Sequence, residues 1–179
     1  MTGVGYDRDM RILILTFLLA AGAWAQSNPL TQAIMSRYNT AKQNLIETAE
    51  AMPESEYGYK LSPAQRPFGA WIEHTAQGNY GYCTAIKGAA ADSSPKVPHE
   101  MKAKPELVKA IKDSFEYCDE ALKGMDDQKA LVMVNGKAPV TPMVSIVVSL
   151  NEHYGNLVGY LRTKGITPPS TARAAAAKK

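Results

Sequence analysis

The chain has 179 residues, 45% hydrophobic, 21% charged and 8% aromatic, which suits one globular domain and leaves little for a second. Its 20 Lys and Arg stand against 17 Asp and Glu, and the resulting formal charge of +3 is too small and too dispersed for a nucleic-acid groove or a polybasic membrane patch. Two cysteines 35 positions apart exclude a CxxC redox pair, a zinc ribbon and the CxxCH attachment of a c-type haem.

From Met10, taken as the start, the chain reads Met-Arg, then 11 apolar or small residues from Ile12 to Gly22, then Ala23-Trp24-Ala25. A basic start, a short apolar run and an A-x-A end are the layout of a secretory signal peptide, here residues 1–25 with cleavage after Ala25. The run falls short of the about 20 apolar residues that a membrane span needs. Residues 1–9 carry Asp7 and Asp9, which do not suit a positive leading region. The expectation is an exported protein, periplasmic or secreted, without stable membrane insertion and in a compartment that permits a disulfide.

Asn28-Pro29 opens the first predicted helix, with Asn as cap and Pro at the first position, where its missing donor costs nothing. Ile34, Tyr38, Ala41, Leu45, Thr48 and Met52 recur at the spacing of a bundle seam. Pro53 stops the helix, and the segment to Pro67 reads as an irregular connection. A second helix runs from about Phe68 to about Lys87 through Trp71, His74, Thr75, Gly78, Tyr82 and Ala85. Its glycines at 69, 78 and 81 cost about 1 kcal/mol each against Ala, which hints at something bulky in close approach.

Residues 88–104, with Pro95 and Pro98, form a longer crossover, on which His99 is an exposed loop residue. Pro105 starts a third helix with Leu107, Ile111, Phe115, Cys118, Leu122 and Met125 along one face. Asn135-Gly136 between short apolar runs signals a tight hairpin or an ordered loop. Thr141-Pro142 opens the fourth helix, Lys164-Gly165 closes it, and Pro168-Pro169 forbids its continuation. Residues 26–169 are therefore expected to form an all-α, four-helix bundle, and the Ala/Lys-rich residues 170–179 a disordered tail.

The fourth helix carries two inward stripes. Met143, Val147, Leu150, Tyr154, Leu157 and Leu161 make an apolar seam; Ile146, Ser149, His153, Asn156 and Tyr160 make a second at about 100° to it. A Ser-His-Asn row in a bundle interior is costly unless each group finds a partner, and His74 is the natural one. Two neutral imidazoles from separate helices can begin a divalent-metal site; buried histidines bonded to Tyr, Asn or backbone are the alternative. A di-iron carboxylate site needs Glu-x-x-His, and Trp71 and Leu150 occupy the positions three before the two histidines, so that class is excluded. Cys83 and Cys118 lie on faces that can meet. They read either as a structural disulfide, worth about 3–4 kcal/mol, or as two buried thiols.

The run Asn151-Glu-His-Tyr-Gly-Asn-Leu-Val-Gly-Tyr-Leu-Arg-Thr-Lys-Gly-Ile-Thr-Pro-Pro169, with Met52-Pro-Glu and Phe68-Gly-Ala-Trp-Ile-Glu-His74 upstream, resembles the DinB-like family, also called the DinB/YfiT-like metalloenzymes. The resemblance implies a bundle of up-down-down-up order and a three-histidine divalent-metal site. One imidazole of that set comes from the second helix, matched by His74, and a His-x-x-x-His pair from the fourth, matched by Ser149 and His153. Ser149 thus replaces a family histidine, and a hydroxyl is a poor substitute for imidazole on Zn²⁺ or Ni²⁺. The resemblance further implies a Zn, Ni, Fe or Mn cofactor and a thiol-dependent transferase, or a hydrolase, acting on a small molecule. In it Tyr154 or Asn156 would orient substrate. A degenerate, non-catalytic, exported binding or stress-associated bundle is the rival expectation. The expected partners are a small-molecule substrate and a second copy in a homodimer, with no nucleic acid.

Overall fold

The computed structural model describes residues 28–98 and 103–178; the predicted signal peptide and His99 lie outside the described residues. The four expected helices are α1 (Pro29–Ala51), α2 (Phe68–Ile86), α3 (Lys104–Leu122) and α5 (Val140–Thr163), joined by two short ones, α4 (Asp127–Leu131) and α6 (Pro169–Ala176). Among the described residues the only strand-like pairing is an isolated antiparallel bridge between Val134 and Lys137. Asn135 (φ 50°) and Gly136 (φ 78°) turn it, as a two-residue Asn-Gly hairpin requires.

Cross-helix contacts give the direction of each rod. Lys112 of α3 pairs with Glu50 at the end of α1, while Asp119 meets Tyr38 and Lys42 nearer its start, so α1 and α3 are antiparallel. Asn79 bonds Ser114 and Cys83 joins Cys118, so α2 runs parallel to α3. Trp71 meets Tyr160 and Thr75 meets His153, so α5 runs against α2. The order is up-down-down-up, and the parallel α2–α3 pair explains the long crossover that the two prolines mark. Around the bundle, α1 packs on α5, α5 on α2, α2 on α3 and α3 on α1.

The α1 seam behaves as its spacing predicts: Tyr38, Ala41, Leu45, Thr48 and Met52 are buried and Ile34 is partly so. Its cap differs from the expectation. Asn28 makes no side-chain cap bond; the Asp127 carboxylate takes the free donors instead, accepting from Leu30 N at 3.1 Å, Thr31 N at 2.8 Å and Thr31 Oγ1 at 2.7 Å. Asn28 Oδ1 in return accepts from Asp127 N. A full carboxylate at a helix start is favoured by the helix dipole, and α4 holds it there from 96 residues away. At the other end Lys104 donates to the last free carbonyls of α1, at Glu50 and Met52.

Helix α2 also departs from the sequence reading. Its core face is Phe68, Ile72, Thr75, Ala76, Asn79, Cys83 and Ile86, turned from the Trp71–Ala85 stripe. Buried polar positions complete that face because each is bonded: Asn79 donates to Ser114 Oγ at 3.0 Å. Of the three glycines only Gly69 is tightly approached, by the Leu107 and Tyr57 side chains; Gly78 meets only the Tyr82 ring at 3.9 Å and Gly81 nothing within 4 Å. Cys83 and Cys118 form a disulfide with Cα atoms 5.1 Å apart.

Helix α5 begins at Val140 behind Pro139 as cap, two residues before the start expected from Thr141 as cap and Pro142 as first position. It ends where predicted, with Gly165 at φ +70° and the pair Ile166 N to Leu161 O and Gly165 N to Arg162 O, a Schellman motif. The tail expected to be disordered instead forms α6 from Pro169 to Ala176. Pro169 starts it, alanines favour the helical state, and Arg173 docks it on Glu47 and Asn44 of α1.

Candidate functional site between α2 and α5

The antiparallel packing of α2 on α5 brings His74 and His153 together, with ring centroids 5.1 Å apart and planes inclined by 54°. The two differ in setting. His153 is buried at 7% exposure, while His74 sits at the rim. Trp71 packs against both rings, 5.5 Å from His153 and 6.0 Å from His74. Its indole N–H donates to Tyr160 Oη at 3.2 Å, and Tyr160 donates to the Arg66 carbonyl at 2.5 Å. The wall behind the imidazoles is thereby locked.

A cleft of about 500 Å³ opens over the pair. Helix α2 lines it with His74 and Tyr82, and α5 with Val144, Ser145, Val148, Ser149, Glu152 and His153. The α5 residues recur at three- and four-residue steps, one helical stripe. Val144 and Val148 are 46% and 60% exposed, so an apolar strip lies along the cleft beside its polar end.

Both imidazoles are held below the usual histidine range. For His153 the causes are burial first, then the facing His74, with Arg66 adding to them and Glu152 opposing. For His74 burial again leads, followed by Arg66, with Glu73 opposing. Arg66 stands 5.2 Å over the Trp71 ring. Two imidazoles kept neutral side by side offer lone pairs at neutral pH, which is the state that metal ligation and general-base chemistry both need.

The other residues predicted for the site divide. Ser149 lines the cleft one helical turn before His153. Tyr154 does not: its hydroxyl bonds Ser170 Oγ at 2.7 Å and accepts from Ser170 N at 3.1 Å, holding α6 against α5. Asn156 donates back to the Glu152 carbonyl of its own helix. Neither lines the cleft: Tyr154, one residue beyond His153, is rotated off the cleft stripe, whereas Asn156, a turn beyond His153, keeps to that stripe's side but spends its amide on its own helix. Thr75, Trp71 and Tyr82, which the sequence places on the second-helix stripe without a role at the site, and Glu152, which it does not single out, are further site residues. A Thr four residues after Trp71, inside a helix and beside a histidine, is the signal that points to the first of them.

An ion shared by two imidazoles, with metal–nitrogen bonds of about 2.0–2.1 Å, places their ring centres about 5 Å apart. The observed 5.1 Å and the neutral rings fit two such ligands. The full three-imidazole set does not fit: Ser149 stands in the third place, and among the described residues no group of three His, Cys, Asp or Glu converges. His74 and His153 would make two of the four ligands of a tetrahedral shell.

The sequence pattern of the DinB superfamily matches residues 37–156, a span that contains both histidines and Ser149. A crystal structure of a DinB-like protein from Bacillus cereus superposes with a TM-score of 0.59, covering 77% of this chain and 95% of that one at 11% identity; a likeness at that identity speaks to the fold alone. No curated protein matches the chain. The family match spans most of the bundle and well over half of the chain, and the chain belongs to the DinB superfamily.

Proposed function

We propose that the α2–α5 cleft binds a divalent metal ion through His74 and His153 and acts on a small molecule that completes the coordination shell together with water. The observation that carries this reading is the pair of neutral imidazoles 5.1 Å apart lining an open cleft. A bound ion supplies Lewis acidity, depressing the pKa of a coordinated thiol or water. His153, buried and backed by Trp71, holds its ring rigidly; His74 at the rim closes the pair. Val144 and Val148 offer an apolar track for the substrate body, and Glu152 a carboxylate at the edge. The chemistry proposed is transfer to or from a thiol, or hydrolysis.

Export belongs to the same proposal. It is supported by the Met10–Ala25 sequence and by a disulfide inside the domain, which persists in oxidising compartments. No described helix is long and apolar enough to cross a membrane.

One specific observation favours a second reading, a binding bundle without catalysis: the third family ligand is Ser149, a neutral hydroxyl, and two imidazoles hold an ion weakly. Metal analysis of the purified protein separates the two. About one equivalent of Zn, Ni, Fe or Mn, lost in His74→Ala, supports the metal-dependent enzyme. Protein with no metal, and a melting curve unmoved by chelator or added ion, supports the binding bundle and ends the first reading.

A further inference from the structure

Thr75 is next to His74 in the chain but on the buried side of α2, 1% exposed. Its hydroxyl carries one proton, and Oγ1 stands 2.7 Å from the Trp71 carbonyl, a group that can only accept. His153 Nδ1 lies 3.3 Å from the same oxygen. With the hydroxyl proton directed to the nearer carbonyl, Oγ1 meets Nδ1 with a lone pair. The contact is then a hydrogen bond only when Nδ1 carries the imidazole proton. The donors run in one direction, from His153 Nδ1–H to Thr75 Oγ1–H to Trp71 C=O, and helix α2 and the Trp71–Tyr160 bond hold the end of the chain in place.

We propose that Thr75 is the positioning residue that fixes His153 in its Nδ1–H tautomer, so that Nε2, the nitrogen left for the cleft, presents a lone pair. His153 then serves the cleft as a ligand or base and never as a neutral donor. The group it takes up is an electron-pair acceptor: a divalent cation, or an acidic S–H or O–H. This rests on the preceding reading only in taking the cleft as the place where His153 works.

Long-range ¹H–¹⁵N correlation spectra of the labelled, metal-free protein, recorded well above the imidazole titration range, test it. The expected result is the Nδ1–H pattern for His153 in the wild type and in Thr75→Ser, and a shift towards Nε2–H in Thr75→Val, with the His74 pattern unchanged. An Nε2–H pattern in the wild type, or an unaltered Nδ1–H pattern in Thr75→Val, overturns the proposal. Should Thr75→Val fail to fold, the wild-type spectrum decides alone. In a Zn²⁺ titration the expected loss in Thr75→Val is about 10- to 100-fold in affinity, the usual cost of losing such an outer-shell partner. No Zn²⁺ binding by any variant, with the Nδ1–H pattern intact, sinks the metal reading and leaves the role of Thr75 standing.

Discussion

Helix α2 faces two neighbours in opposite ways. Towards α3 it is sealed: Cys83 is bonded to Cys118, Asn79 donates to Ser114, and Ser114 in turn donates to the Ile111 carbonyl. The polar groups of these side chains find their partners inside the protein. Towards α5 the same helix sets two imidazoles beside a cleft open to water, and among the described residues only His153 Nδ1 of their four ring nitrogens has a side-chain hydrogen-bond partner, Thr75. Polar groups in the first interface specify which helices pair and in what register. Those in the second retain unused valence, and unused valence at a buried position is what a ligand can take up.

The sealed side is where removal of one bond costs most. Replacing Cys83 and Cys118 together by Ala opens a covalent loop with a sequence separation of 35. The expected loss is about 3–4 kcal/mol, mostly through a less constrained unfolded chain. For a domain of this size that lowers Tm by roughly 10 °C, readable by calorimetry, while the α2–α5 cleft and its affinity for added ions stay as they were. A fall in ion affinity equal to that of His74→Ala would show the two faces to be coupled and would end the contrast.

The open side responds to pH instead. Both histidines have folded-state pKa values below the unfolded one of about 6.5. Below that pH the unfolded chain binds protons that the folded one declines, so stability falls on acidification from about 6.5 downward and is level above it. The midpoint of urea denaturation of metal-free protein, followed from neutral pH to about pH 5, should drop in the wild type and drop less in His153→Phe or His74→Ala. Equal slopes in all three would mean that the imidazoles do not carry the penalty.

Much of this arrangement is legible in the amino-acid sequence. The α1 seam, the Gly165 cap and the Asn135-Gly136 turn follow from local spacing and from residue types with narrow conformational tolerance, while the cysteines leave a disulfide and two buried thiols both open. The meeting of His74 and His153 follows too once the helix order is granted. What escapes a reading of the sequence is tertiary. Nothing near Asn28 announces that Asp127 will cap its helix, and nothing in an alanine-rich tail announces that Arg173 has a carboxylate waiting on α1. The core face of α2 escapes for a related reason. Of the stripe through Trp71, His74, Thr75, Gly78, Tyr82 and Ala85 only Thr75 is buried, and Asn79, off that stripe, goes inside because Ser114 on α3 satisfies it.

The smallest expected effects come from two glycines of α2, and their opposite signs carry the contrast down to the scale of one methyl group. A Cβ on Gly69 would stand 3.1 Å from Leu107 Cδ1 and 3.3 Å from the Tyr57 carbonyl, which already accepts from Gly69 N at 2.8 Å. Backbone on one side and a packed leucine on the other leave little room to give, so Gly69→Ala should destabilise by about 1–2 kcal/mol, as overpacking does. Gly81 is exposed, with nothing within 4 Å of an added Cβ. There the entropy of the unfolded chain decides, and Gly81→Ala should stabilise by about 0.5–1 kcal/mol, a rise of roughly 2–3 °C in Tm. Were Gly81→Ala to lower Tm, that surface of α2 would have to be in contact with something in solution, and α2 would have a third occupied face.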